Sequence, residues 1–191
     1  MTTNRIAGAL AAASCLLGSA HAQSFTGDDV EGFLDVLKGS EAIGERYEGQ
    51  FDGENPLAAQ MATDFSDFGN LLDADGDFRV FRLMTAAMER SGDMAPVRDY
   101  RALVTGSGFA GLPEFGETAD AIMMAWLATQ VDPKDLAEME AMDPAMMEMM
   151  PASMKAQLEG VMRLGEALED VPAEDLATLK PYRKKLKKAF D

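Results

Sequence analysis

Apolar side chains recur at intervals of three and four residues along most of this chain, which is the spacing of one face of an α-helix. The spacing is most regular in the segment that contains Leu57, Met61, Phe65, Phe68 and Leu72. Prolines stand where helices are expected to begin, at Pro56, Pro96, Pro113, Pro133, Pro144, Pro151, Pro172 and Pro181. No convincing strand alternation and no internal repeat is present. The sequence therefore predicts an all-α protein, an irregular bundle of roughly seven or eight short-to-medium helices.

Capping residues predict where individual helices begin and end. Thr26, with Asp29 three residues later, is typical of a helix start, and residues 38–40 (Lys-Gly-Ser) indicate a stop followed by a new cap. Asp73 or Asp75 is expected to cap the helix that follows them. These signals divide the chain into helices linked by short turns.

The first 22 residues have the pattern of a secretory signal peptide. Arg5 precedes a short, largely apolar run at 6–17, and residues 20–22 form an A-x-A site. We expect cleavage after Ala22, a periplasmic or secreted location, and a single helical domain over 23–191. No later stretch approaches the roughly 20 apolar residues of a membrane-spanning helix. Lipid attachment at Cys15 is a minor alternative.

Cleavage after Ala22 would remove Cys15 and His21, the only cysteine and the only histidine. A mature chain of this kind has no disulfide, no thiol nucleophile and no imidazole base or ligand. The sequence therefore argues against serine-histidine, cysteine-histidine and histidine-zinc mechanisms.

The charge of the chain is strongly negative and unevenly distributed. The formal net charge is −16, and loss of Arg5 with the signal peptide makes the mature form −17. The predicted C-terminal helix at 180–191 carries a net +5, so residues 23–179 carry −22. Such a body repels nucleic acid and anionic lipid. The apolar residues Tyr182, Leu186 and Phe190 of the C-terminal helix are expected to dock on the bundle.

Two short motifs suggest ligand sites but fit structural roles better. Residues 106–111 read G-x-G-x-x-G, yet the residues before them fit a helix opened by Pro96 at least as well as a strand, so no βαβ unit is expected. The acidic run 73–77 lacks the glycine and glutamate of a calcium loop, because Phe78 and Met84 stand at those positions. We interpret both motifs as turns.

Methionine is concentrated between residues 139 and 154. The cluster consists of Met139, Met142, Met146, Met147, Met149, Met150 and Met154. Thioethers are ligands that select Cu(I), but they also fill irregular cores and adaptable binding surfaces. The helix that starts at Pro151 is expected to carry one apolar face, made of Met154, Leu158, Val161 and Leu168. Core or partner contacts are favoured over copper.

Three functional hypotheses remain open from the sequence. The leading one is an exported, soluble, non-enzymatic helical protein that acts through contacts with another protein. The alternative is a periplasmic Cu(I)-handling protein that uses the Met-rich segment 139–154. The third is a carboxylate-dependent enzyme, for which no residues stand out. We name no catalytic, cofactor-binding or metal-binding residue and no cofactor.

Overall fold

The structure, a computed structural model, describes residues 24–48, 72, 73, 77–132, 134 and 150–190. The helices are α1 (Gly27–Arg46), α2 (Val80–Arg90), α3 (Ala95–Gly106), α4 (Leu112–Ala128), α5 (Ala152–Glu169), α6 (Ala173–Leu179), a 3-10 turn (Lys180–Tyr182) and α7 (Arg183–Phe190). Among the described residues, extended pairing is limited to one antiparallel bridge between Leu72 and Phe78. The all-α prediction is confirmed.

The number of helices is slightly lower than predicted. Helix α6, the 3-10 turn and α7 follow one another without an intervening loop, so they form one continuous helical segment, and the described residues contain six such segments. None of the helices in these residues is both long and apolar enough to cross a bilayer.

Helix α4 is the centre of the bundle, and Phe115 is the centre of its core. The Phe115 ring lies 6.3 Å from Phe33 of α1, 6.0 Å from Phe81 of α2 and 6.1 Å from Tyr100 of α3, measured between ring centroids. Phe109, in the loop before α4, is nearer still at 5.2 Å. Most of these pairs are edge-to-face, an arrangement that aromatic rings prefer. One buried ring therefore joins four segments of the chain.

Several predicted helix starts are confirmed. Thr26 and Asp29 form a capping box at the start of α1, in which each side chain accepts a hydrogen bond from the other residue's backbone N–H. Pro96 and Pro113 stand in the first turns of α3 and α4. At the helix start predicted by Pro133, the Lys134 backbone N–H donates to Asp132 Oδ1 at 2.9 Å, a bond that an N-cap side chain makes.

The stop predicted at residues 38–40 is wrong, because α1 continues to Arg46. Gly39 serves close packing there: a Cβ at this position would lie 2.6 Å from Leu103 Cδ1 of α3. The Ser40 hydroxyl donates back to the Leu37 carbonyl at 2.6 Å instead of capping a new helix. The glycine lets α1 and α3 approach, and it does not end the helix.

The apolar face predicted for α5 is only half correct. Leu168 is buried with Ala167 against Met124 of α4, whereas Leu158 and Val161 are half-buried. Met154, at the other end of the helix, is 52% exposed. Burial of the predicted face therefore increases toward the C-terminal end of α5.

Four predictions fall outside the described residues. They are the signal peptide at 1–22, the helix that begins at Pro56, the helix start at Pro144, and the Met-rich segment up to residue 149.

Candidate functional site

The sequence predicts that Asp73 or Asp75 caps α2, but the structure has a different arrangement at the start of this helix. Arg79 stands at the cap position and its side chain makes no capping bond. The buried carboxylate of Asp120, from α4, takes that role: it accepts from the backbone N–H of Phe81 at 2.8 Å and of Arg82 at 3.1 Å. Asp75 lies outside the described residues. Asp120 therefore satisfies free N–H groups of the first turn of α2 from a different helix.

The side chain of Arg82 completes this cluster. Its Nε donates to Asp120 Oδ2 at 2.9 Å, and its Nη2 donates to the Phe78 carbonyl at 2.9 Å and to Asp73 Oδ2 at 3.2 Å. Burial raises the pKa of Asp120, and the hydrogen bonds from Phe81 and Arg82 offset this only in part. The contacts of Asp120 hold α2 against α4, and those of Arg82 with Phe78 and Asp73 hold the turn before α2, so we assign the cluster a structural role.

A cavity of about 260 Å³ lies beside the Asp120 cluster. Phe78 and Met124 contribute apolar surface, and Glu117, Asp170 and Asp175 contribute carboxylates. Asp175 is buried and accepts from the Ser24 backbone N–H at 2.9 Å. Within the described residues no group of three or more acidic, histidine or cysteine side chains is placed to hold a metal ion.

The C-terminal helix α7 docks on the bundle, as predicted. Leu186 is fully buried and Tyr182 is half-buried. The Phe190 ring lies 6.4 Å from Phe33 and 6.3 Å from Trp126, yet 42% of Phe190 remains exposed. Of the three apolar residues predicted to dock, the middle one, Leu186, is therefore the anchor, while Phe190 lies at an open edge.

That open edge is one wall of a groove of about 770 Å³ between α1 and α7, which we call the α1–α7 groove. Its apolar lining comes mainly from Leu34 and Leu37 of α1 and from Phe190 of α7. The groove is lined by Glu31, Leu34, Asp35, Leu37, Lys38, Ser40, Glu41, Lys185, Lys188, Ala189 and Phe190. An apolar centre with an aromatic residue and a charged rim is the usual anatomy of a protein-binding surface.

The basic residues of α7 divide between the groove and the solvent. Lys185 lies 3.6 Å from Glu31 of α1, and its ammonium stands 5.4 Å from the centroid of the Tyr182 ring. Arg183 donates to the Thr129 carbonyl at 3.3 Å, beyond the end of α4. Lys184 and Lys187 are exposed. Lys185 and Arg183 therefore tie α7 to α1 and to the residue that follows α4.

The glycine motif is a turn between two helices. Gly106 ends α3, and Gly111 stands at the cap position of α4, whose first turn contains Pro113. Between them Phe109 is buried in the core. A helix therefore precedes the motif where a dinucleotide-binding turn needs a strand, and the structural interpretation is confirmed.

The acidic run that precedes α2 closes a turn of its own. The Asp73 backbone N–H donates to the Asp77 carbonyl at 2.8 Å, and the Asp77 N–H donates to Asp73 Oδ1 at 3.0 Å. Asp73 also pairs with Arg82. These contacts agree with a turn.

Of the Met-rich segment, the described residues include only the last two methionines. Met150 is half-buried and Met154 is exposed. The other five, from Met139 to Met149, lie outside the described residues, so the choice between packing and copper stays a prediction.

The sequence does not predict the groove, since the spacing of Tyr182, Leu186 and Phe190 leads us to expect that Phe190 docks on the bundle. Comparison of the chain with protein-family models, with curated proteins and with solved structures found no match, so its function has to be inferred from this geometry.

Proposed function

We propose that this chain is an exported, non-enzymatic binding protein that acts through contacts with another protein, and that the α1–α7 groove is its binding surface. The observation that carries the proposal is Phe190, which packs on Phe33 and Trp126 but leaves 42% of its surface open to the groove. Aromatic residues, phenylalanine included, are enriched at the core of protein interfaces relative to the rest of the surface.

The groove supports this function better than the cavity beside Asp120 does. Asp120 and Asp175, the buried carboxylates of that cavity, both accept hydrogen bonds from the fold itself. The groove is about three times larger in volume. Its size and its mixture of apolar and charged side chains suit the face of a helix better than a small metabolite.

A matched pair of alanines tests the proposal. Ala189 lines the groove, whereas Ala177 is exposed on α6 outside it. We expect Ala189→Arg to fill the groove and release the protein from its complex, and Ala177→Arg to leave the complex intact. The measurement is the apparent mass of each form in extracts of the native cell envelope. Equal apparent masses for both variants and the wild type would show that the groove is not the binding surface.

Export is a separate part of the proposal, supported by Arg5, the apolar run at 6–17 and the A-x-A site. Intact-mass measurement on natively expressed protein is expected to show a chain that begins at Gln23. A chain that retains residues 1–22, or that carries lipid on Cys15, would contradict this prediction.

Copper handling is the second candidate, and one observation favours it: the Met154 thioether is exposed where a soft metal could reach it. The test is competition titration with Cu(I) under reducing conditions, on variants in which Met150 and Met154 are both changed to Leu or both to Ser. A copper site would be lost equally in the two variants, because neither residue supplies sulfur. We expect no tight Cu(I) binding in the wild type.

A further inference from the structure

We propose that the partner seated in the α1–α7 groove is a second copy of this chain, in a dimer with two-fold symmetry. This inference rests on the proposed function and names the partner of the same surface.

The two walls of the groove carry opposite charge. The α1 wall has a net charge of −2 and the α7 wall a net charge of +2, so the lining as a whole is neutral. These charges come from Glu31, Asp35, Lys38 and Glu41 on α1, and from Lys185 and Lys188 on α7. In the part of the chain that the structure describes, only Lys185 and Glu31 pair with each other across the groove. One net charge on each wall is left for a partner.

Because the groove lining carries charges of both signs that sum to zero, it favours some classes of partner over others. A polyanion, such as nucleic acid or an anionic membrane, would be attracted by Lys188 and repelled by Asp35 and Glu41. A basic protein would be attracted by the α1 wall and repelled by the α7 wall. The best complement is a surface that also carries one acidic and one basic wall about an apolar centre. This chain is itself such a surface.

Two-fold symmetry brings these walls together in the required order. In a symmetric dimer the same patch is used by both copies, so the α1 wall of one copy can face the α7 wall of the other, twice. Leu34, Leu37 and Phe190 of the two copies then meet near the axis, which removes their apolar surface from water. The contact closes on itself and does not propagate into a filament.

The acidic body opposes this association only at long range. Each mature copy carries −17, but charges more than about 8 Å apart are largely screened at physiological ionic strength. The local contacts between opposite walls are closer than that. The dimer should therefore be measured at physiological salt.

A charge-swap experiment tests the dimer on the mature protein. Glu41→Lys and Lys188→Glu each place like charges on facing walls, twice per dimer, and each is expected to raise the dimer dissociation constant by about tenfold or more. An equimolar mixture of the two variants restores both opposite-charge contacts, so it is expected to form dimers again. Glu166→Lys and Arg163→Glu, at exposed positions of α5 outside the groove, make the same changes of net charge and serve as controls.

The readout is molar mass from light scattering across a concentration series, with circular dichroism to verify that each variant keeps its helices. Dimers in the wild type, controls and mixture, with monomers in each single variant, support the proposal. A monomeric wild type overturns it; the proposed function then survives if the envelope complex still responds to Ala189→Arg. A dimer unaffected by either charge reversal places the interface elsewhere and also overturns it.

Discussion

Replacing Asp120 by alanine is expected to lower the free energy of unfolding by about 2–4 kcal/mol. The change leaves two backbone N–H groups at the start of α2 without their acceptor and removes the carboxylate that pairs with Arg82. Arg82 is 40% exposed and can be hydrated in part, which keeps the loss below that of a fully buried pair. Urea denaturation followed by circular dichroism measures the effect.

Asp99 supplies the matched control, because this aspartate also pairs with an arginine but lies at the surface. It accepts from Arg46 Nη1 at 2.6 Å and from the Tyr47 hydroxyl at 2.9 Å. Asp99→Ala is expected to cost much less than Asp120→Ala, because exposed ion pairs contribute little. Equal losses at the two sites would show that Asp120 does not hold α2 against α4.

The second large effect is expected at Gly32, in the middle of α1. An alanine Cβ at this position would lie well inside van der Waals contact of the Ser107 carbonyl oxygen and 3.1 Å from the Phe109 ring. The oxygen belongs to the backbone of the turn between α3 and α4, so it cannot move away as a side-chain end can. Gly32→Ala is expected to destabilise the protein by about 2 kcal/mol, because the cost of the close contact exceeds the gain in helix propensity.

Gly44 is the control, because it is in the same helix and has no atom within 4 Å of an added Cβ. Gly44→Ala is expected to stabilise the protein by up to about 1 kcal/mol through helix propensity alone. Opposite signs for the two substitutions in the same denaturation assay confirm the close contact of α1 with the turn. A stabilising Gly32→Ala would show that this contact is looser than described.

Features encoded by neighbouring residues could be predicted from the sequence. The capping box of Thr26 and Asp29 requires only residues three apart, and Pro96 and Pro113 act within their own first turns. The apolar residues of α4, Phe115 among them, recur at the spacing of one helical face. Local rules of this kind suffice for the helical class and for many helix starts.

Features that depend on distant contacts could not be predicted. A glycine that ends a helix and one that admits a neighbouring helix look alike in sequence, and Gly39 is of the second kind because of Leu103. The acceptor for the start of α2 comes from Asp120, 38 and 39 positions from the N–H groups that it binds.

The exposure of Phe190 also depends on contacts between residues that are distant in the sequence. It depends on where α7 ends over α1, and residue spacing carries no information about that position. The candidate site could therefore not be predicted from sequence patterns.

The most direct test of the account is to ask what touches the groove in living cells. A photo-activated cross-linking amino acid is placed at Ala189, which lines the groove, or at Ala177, which lies outside it. After irradiation of intact cells, we predict one discrete protein adduct from position 189, of twice the chain mass if the partner is a second copy, and none from position 177. Absence of any adduct at 189, or the same adducts from both positions, would contradict the assignment of the α1–α7 groove as the binding surface.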